Sequence, residues 1–198
     1  MVTDKKIIEN GVINFFSRKE EFKSLSNFWI GDVVVDGVVY ESGENCFHGE
    51  KYRRIGEKCV DEVRKKKLLD YSNGFMKPSL YKNCNEVKKM GGKKGLLLSS
   101  DELSDWSVIG IEVQRKICKW KFDNYEEVRN DLKKSGGKIL IHPALRCSEE
   151  KVKSRLWEGK GIVCDGKIEV IGGNMLGKLW MELRKENLRF LVKIDFLF

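Results

Sequence analysis

Glu44, His48 and Lys51 are the residues whose types and spacing are best suited to chemistry. They lie on one face if residues 44–55 form a helix, because side chains three and four positions apart share a helix face. Glu44 and Lys51 would then stand about 10 Å apart along the helix axis. That separation is too long for a direct pair, but both side chains could reach one bound ligand.

The pair Glu44 and Lys51 has two interpretations. A buried carboxylate can act as a general acid or base, and a desolvated lysine can lose its proton and attack a carbonyl-like carbon. The alternative is a glutamate and a lysine on the solvated face of an amphipathic helix. The pattern by itself favours this alternative, because both residue types are common on exposed surfaces.

Several other side chains could bind a ligand. Asn27, in the segment Ser26–Trp29, could orient a ligand hydroxyl, or its amide could hold its own loop. A tryptophan ring can stack on a planar base. Trp106 and Trp120 have the helical spacing typical of a core, whereas Trp157 lies in a less regular segment and is the more open candidate.

Two features could bind phosphate. Gly172–Gly177 leads into a predicted helix, whose first backbone N–H groups can bind an anion, although a tight loop with close packing explains the same glycines. Lysine runs can attract phosphates or simply be solvated surface. These runs are Lys65–Lys67, Lys88-Lys89 and Lys93-Lys94.

These residues must be positioned by helices and strands. The helices and strands predicted from the sequence indicate an α+β fold, mainly α, with an N-terminal β-hairpin. Valines flank Asp36-Gly37, which suits the positive φ angles of a type I′ turn, so Asp32–Tyr40 is predicted to be that hairpin. Apolar residues at spacings of three and four predict a helix over Trp106–Phe122, with Asp105 as its N-cap.

Weaker patterns predict the remaining elements. Further helices are expected at Glu44–Ile55, Cys59–Leu69, Tyr125–Lys134 and Met175–Glu186, strands at Ile13–Phe16, Ile168–Ile171 and Phe190–Phe198, and a turn at Tyr71–Pro78.

The composition limits the class of protein. The 198 residues are 41% hydrophobic, which predicts a folded single domain over residues 1–198. No apolar stretch reaches the roughly 18 residues of a spanning helix, and residues 1–10 lack an apolar signal core. We therefore expect a cytoplasmic protein with no membrane partner. The net charge of +8 predicts an anionic partner.

The cysteines and histidines do not predict a metal site. None of the six cysteines forms a CxxC pair, and the two histidines, His48 and His142, are far apart in the sequence. Neither a disulfide framework nor a structural zinc site is favoured by this spacing. No metal is expected.

Four short blocks occur in the order of a known family. They are Phe15-Phe16-Ser17 followed by Leu25-Ser26-Asn27-Phe28, then Gly43–Lys51, then Trp106 followed by Lys121-Phe122, and last Gly173–Gly177 with Met181 and Arg184. These blocks are similar to F-Y-S…F-S-N-F, S-E-x-x-F-Q-A-x-K, W…M…A…K-F and G-x-N-x-L-G-x-x-L-M-x-x-R. The chain thus resembles the NADAR domain, or YbiA-like N-glycosidases, over almost its whole length, and the resemblance implies a domain core of about 13–186.

The chain also departs from the family pattern. The family's serine before the glutamate is Gly43, and its Q-A is His48-Gly49. Its M-G-R is Met90-Gly91-Gly92, which leaves Lys93 as a substitute for the arginine. The acidic residues of L-V-E…D-x-x-W-G are absent from the matching Leu140–His142 and Ser154–Trp157. These departures predict a divergent member with an altered substrate or reduced activity.

The resemblance implies an activity and roles for residues. Members cleave the ribose C1′–N bond of phosphorylated ribosylamino-pyrimidines of riboflavin biosynthesis, or remove ADP-ribose from guanine in nucleic acid, and need no cofactor. By resemblance, Glu44 stabilises charge or moves protons and Lys51 captures the opened ribose as a Schiff base. The substrate-binding residues it suggests are Asn27, Phe28, His48, Lys93, Trp106, Trp157 and Asn174.

Two other functions stay open from the sequence. The missing acidic residues are also compatible with a non-catalytic module that binds ADP-ribose or another nucleotide. The basic charge is compatible with a nucleic-acid-binding protein that uses the family fold only as a scaffold. The expected partner is a phosphorylated ribose or ADP-ribose substrate, alone or attached to nucleic acid.

Overall fold

The computed structural model describes residues 4–194, and the side chains of 4–187. Helices α1–α8 span Asp4–Gly11, Gly43–Lys58, Glu62–Asn73, Cys84–Met90, Ser100–Asn124, Glu126–Lys134, Glu149–Lys153 and Met175–Ile194. Strands β1–β6 span Val12–Asn14, Ile30–Val35, Val38–Ser42, Ile139–Ile141, Lys160–Cys164 and Lys167–Ile171. Within these residues β1 pairs parallel with β4, while β2–β3 and β5–β6 are antiparallel hairpins. The predicted mainly helical α+β fold is confirmed.

The chain divides into two compact units. The central unit is Asn27–Asn124, and its core gathers apolar side chains from the hairpin β2–β3 and from helices α2–α5. The terminal unit combines Met1–Ser26 with Tyr125–Phe198. The prediction of one domain over residues 1–198 stays a prediction. Among the described residues, no helix has the length and apolarity needed to cross a bilayer.

The predicted hairpin is confirmed. Asp36 and Gly37 have φ angles of 47° and 81°, as a type I′ turn requires. The same Asp-Gly signal joins β5 to β6, where Asp165 and Gly166 have φ angles of 50° and 73°. Strand β5 was not predicted, although this turn indicates it.

The predicted start of the long helix is wrong. Helix α5 begins at Ser100, because Ser99 and Glu102 form a capping box. The backbone amide of Glu102 donates to Ser99 Oγ at 3.2 Å, and the backbone amide of Ser99 donates to the Glu102 carboxylate at 2.7 Å. Asp105 therefore lies inside the helix, where its carboxylate accepts from Lys58 Nζ at 2.6 Å.

The predicted C-terminal strand is also wrong over residues 190–194, where α8 continues to Ile194. No glycine or proline follows Lys178, so nothing local ends the helix. The rest of that prediction, residues 195–198, lies outside the described residues. Helix α3 likewise runs to Asn73, so only the later part of the predicted turn at Tyr71–Pro78 is a turn.

A fully buried carboxylate joins the hairpin to α2. Glu50 is 0% exposed, and its Oε1 accepts from Tyr40 Oη at 2.7 Å and from Arg53 Nε at 2.8 Å. Its Oε2 accepts from Arg53 Nη2 at 2.8 Å and from Arg54 Nε at 2.9 Å. A buried charge is tolerated when hydrogen bonds compensate it in this way.

Glu50→Ala is expected to lower the free energy of unfolding by about 3–5 kcal/mol, because it leaves Arg53 and Tyr40 without their buried partner. Chemical denaturation measures this change. The matched control is Glu57→Ala, since Glu57 is 44% exposed and pairs with the same Arg53. A surface pair contributes at most about 1 kcal/mol. Equal losses for the two variants would contradict the structural role of Glu50.

Candidate active site

The first turn of α2 sets the position of Glu44. Ser42 caps the helix, since its Oγ accepts from Asn45 N at 3.1 Å and donates to Asn45 Oδ1 at 2.7 Å. The helix dipole favours a negative charge in this turn. Glu44 is only 8% exposed, so its carboxylate is largely desolvated but still reachable by a ligand.

Asn27 fastens the preceding loop to the start of α2. Its carbonyl accepts from Glu44 N at 2.9 Å. Its amide pairs reciprocally with Gln114 of α5, at 2.8 and 3.0 Å. A Cβ on Gly43 would lie 2.8 Å from Asn27 Oδ1, so glycine at position 43 permits this close approach. The structure therefore places Asn27 beside the backbone of Glu44.

Lys51 is a largely buried amine on the same helix. The residue is 8% exposed, and its Nζ donates to the carbonyl of Gly91. Burial lowers the pKa of Lys51 to about 8, although the nearby charge of Glu44 acts in the opposite direction. The solvated lysine that the pattern by itself favours is therefore wrong: Lys51 is desolvated, and a minor share of its amine is already uncharged near neutral pH.

The end of α4 and the segment after it, residues 90–96, lie against this face of α2. Its Met90 carbonyl accepts from Tyr71 Oη at 3.0 Å and from Tyr52 Oη at 3.4 Å, and its Leu96 carbonyl accepts from Tyr52 Oη at 3.0 Å. These tyrosines, together with Lys51, hold the segment in place. Sequence analysis did not predict that the Gly91 carbonyl would be the partner of Lys51.

His48 stands between the two predicted catalytic residues. Its Nε2 lies 3.2 Å from Glu44 Oε1. A Cβ on Gly91 would collide with the imidazole, so the backbone of this glycine rests on the ring. Glu44 therefore pairs with His48 and Lys51 with Gly91, rather than with each other.

The other predicted contacts of the central unit have different environments. Phe28 is half-buried, and Lys88 Nζ lies 5.6 Å from its ring centroid. Lys93 is exposed in the turn after α4. Trp106 is 8% exposed and meets the ring of Phe47 at 5.0 Å and 65°, so it belongs mainly to the core.

The two predicted contacts of the terminal unit are Trp157 and Asn174. Trp157 is half-buried just before β5. Asn174 is 1% exposed, and its Nδ2 donates to the Leu140 carbonyl at 2.9 Å while its Oδ1 accepts from His142 N at 3.0 Å. This amide therefore joins β4 to the start of α8. Ligand contacts by Trp157 and Asn174 stay predictions.

A metal would need a cluster of suitable side chains. Across the described part of the chain, three or more His, Cys, Asp or Glu side chains do not come together in a metal-binding arrangement. The central unit instead brings together Glu44, His48, Lys51 and Asn27. This arrangement combines a desolvated carboxylate with an amine of lowered pKa, which suits reactions at an electrophilic carbon.

Comparison with known proteins agrees with the motif resemblance. No protein-family model matches the chain. The proteins named N-glycosidase YbiA from Shigella boydii and Escherichia coli are each 25% identical to it, and that from Shigella sonnei is 26% identical, over 91% of this chain and of theirs. An NMR structure of the E. coli protein YbiA has a TM-score of 0.57 at 23% identity, covering 92% of this chain and 88% of that one. Over nearly its whole length this chain is therefore similar to the YbiA proteins in its ordered motifs, in its sequence and in its fold.

Proposed function

We propose that this protein is an N-glycosidase that hydrolyses the C1′–N bond of a phosphorylated ribose. The observation that carries the proposal is the desolvated Glu44 and Lys51 on one face of α2, with the pKa of the lysine lowered to about 8. The name N-glycosidase of the relatives supports it. Its substrate is a phosphorylated ribosylamino-pyrimidine or ADP-ribosylated guanine in nucleic acid.

The first step breaks the C1′–N bond. The bonding electron pair leaves with the base nitrogen, which takes up a proton. Positive charge develops on C1′ and the ring oxygen. The Glu44 carboxylate stabilises this charge, and its effect is strong because the site is largely desolvated.

Lys51 attacks C1′ as the base leaves. The uncharged amine of Lys51 leaves the Gly91 carbonyl, forms a bond to C1′ and loses a proton. The bond between C1′ and the ring oxygen then breaks, the second amine proton passes to that oxygen, and an imine forms between C1′ and the lysine. Water hydrolyses the imine and frees the lysine. The complete reaction consumes one water and yields the free base and the phosphorylated ribose or ADP-ribose.

The surroundings of the site suit a phosphorylated substrate. Lys88 and Lys89 on α4 and Lys93 and Lys94 in the following turn are all exposed. This turn includes the segment that contacts Lys51. We assign these lysines to the phosphate groups of the substrate and Phe28, which lies below Lys88, to the base.

The decisive experiment is mass spectrometry of the full chain with two substrates. One is an oligonucleotide that carries ADP-ribosylated guanosine, and the other is the ribosylamino-pyrimidine phosphate, each with and without borohydride. We expect release of the free base and a reduced adduct on Lys51. Base release without an adduct would remove the covalent role of Lys51. Tight ADP-ribose binding by calorimetry with no base release would instead support the binding module.

The pH dependence follows from the lowered pKa of Lys51. Below about pH 8 the protonated amine, which cannot attack C1′, predominates. We expect kcat/KM to rise by roughly tenfold per pH unit below that value and to level off above it, because kcat/KM reports the free enzyme. Steady-state kinetics from pH 6 to 9.5 measure this profile. A flat profile across that range would contradict the role of Lys51.

A further inference from the structure

His48 is the titratable side chain of the α2 face that the proposed reaction does not use. Its two ring nitrogens have different surroundings. Nε2 lies 3.2 Å from Glu44 Oε1. Nδ1 is covered from solvent and has no hydrogen-bond partner among the described residues.

Apolar groups hold the imidazole in this orientation. The ring of Phe47 meets it at 5.6 Å and 76°, and the ring of Phe75 lies at 6.3 Å and 40°. The backbone of Gly91 covers Cγ and Nδ1 closely enough that a Cβ at that position would collide with both atoms. The ring therefore has little freedom to turn away from Glu44.

The position of Nδ1 decides which form of the imidazole fits. The imidazolium and the Nδ1–H tautomer both place a buried N–H where no acceptor is present, and a buried unpaired donor is unfavourable. The Nδ1–H tautomer also turns the Nε2 lone pair towards a carboxylate. The Nε2–H tautomer alone gives Glu44 a donor and leaves no N–H buried without an acceptor.

We infer that His48 is a positioning residue, held as the neutral Nε2–H tautomer, that donates to Glu44 and orients its carboxylate. Among the described residues, His48 is the side chain that hydrogen-bonds this carboxylate. Without it, the carboxylate can rotate away from the position that stabilises charge on C1′. The catalytic consequence rests on the proposed function, whereas the tautomer and the hydrogen bond do not.

Long-range ¹H–¹⁵N spectra of the labelled full chain at neutral pH test the tautomer directly. The chain has two histidines, His48 and His142, so His142→Gln assigns their signals. We expect His48 to show a protonated Nε2 and an unprotonated Nδ1. A protonated Nδ1, alone or together with a protonated Nε2, would overturn the inference.

Kinetics of two His48 variants test the positioning role. Gln can donate to Glu44 from its amide but cannot titrate, whereas Leu cannot donate. We expect His48→Leu to lower kcat by about 10- to 100-fold with KM nearly unchanged, and His48→Gln to remain within about threefold of wild type. Thermal melting followed by circular dichroism checks that both variants fold.

Other kinetic outcomes separate the inference from the proposed function. Equal losses of kcat for Gln and Leu would make the imidazole itself an acid or base and overturn the positioning role. A rise in KM at unchanged kcat would make His48 a substrate contact instead, and would also overturn it. A wild-type protein that turns over neither substrate would overturn the proposed function, while the spectra would still decide the tautomer.

Discussion

Lys51→Met is expected to abolish the borohydride-trapped adduct and to lower kcat by about 10²–10⁴-fold. Methionine fills a similar volume at this largely buried position, but it has no amine to add to C1′. Peptide mapping of the reduced sample and single-turnover kinetics measure the two effects. If the adduct is lost and kcat falls in the same variant, Lys51 lies on the reaction path.

Two variants control for charge and for the helix. Lys51→Arg keeps a positive charge but cannot form the imine, so it should also lose the adduct. Lys58→Met changes an exposed lysine of the same helix, paired with Asp105 at 2.6 Å, and should leave kcat unchanged. An adduct that persists in Lys51→Met would assign the covalent chemistry to another lysine.

Glu44→Gln is expected to lower kcat by about 10²–10³-fold, the range for removing one electrostatic contact to a transition state. The amide keeps the size of the side chain and its Oε1 still accepts from His48, so the change removes mainly the negative charge. Burst and steady-state kinetics on the accepted substrate measure the effect, with folding checked by thermal melting.

The controls for Glu44 separate charge from position. Glu44→Asp keeps the charge but withdraws it by one methylene, so its kcat should fall between those of wild type and Glu44→Gln. Glu62→Gln changes a carboxylate of α3 that is 79% exposed, and should have no effect on kcat. A Glu44→Gln protein with full kcat on both substrates would refute the assigned role.

The two catalytic predictions depend on each other through the electrostatics of the site. Burial lowers the pKa of Lys51, and the charge of Glu44 raises it. Removing that charge in Glu44→Gln should therefore move the rising limb of the kcat/KM profile to lower pH. The shift is visible only if the variant keeps measurable activity, and a limb that stays in place would show that the two side chains do not interact.

Local sequence patterns predicted the helices and strands, because the start, end and type of such an element depend on residues that are neighbours in sequence. Apolar spacing and the Asp36-Gly37 turn indicate α2 and the hairpin. The capping box of Ser99 and Glu102 indicates the start of α5, although Asp105 was predicted. The prediction of a C-terminal strand was wrong for a related reason. It followed the loose alternation of apolar residues, whereas no helix-ending glycine or proline occurs after Lys178.

Partners that are distant in sequence were not predictable in the same way. Gln114 is 87 positions from Asn27, and Gly91 is 40 positions from Lys51. A polar Gln114 between the buried Val113 and Ile117 signals that a partner is needed, but it does not say which one. The partners are decided by tertiary packing, which places the loop of Asn27 and the segment after α4 against α2.

The sequence by itself determined the candidate residues, because the 3.6-residue repeat of an α-helix places Glu44, His48 and Lys51 on one face wherever that helix lies. Their chemical state was decided by the tertiary structure alone. The desolvation that lowers the pKa of Lys51, and the covered Nδ1 of His48, arise from groups far away in the sequence, above all Gly91. Burial depends on what the folded chain places around a group, which no local spacing specifies.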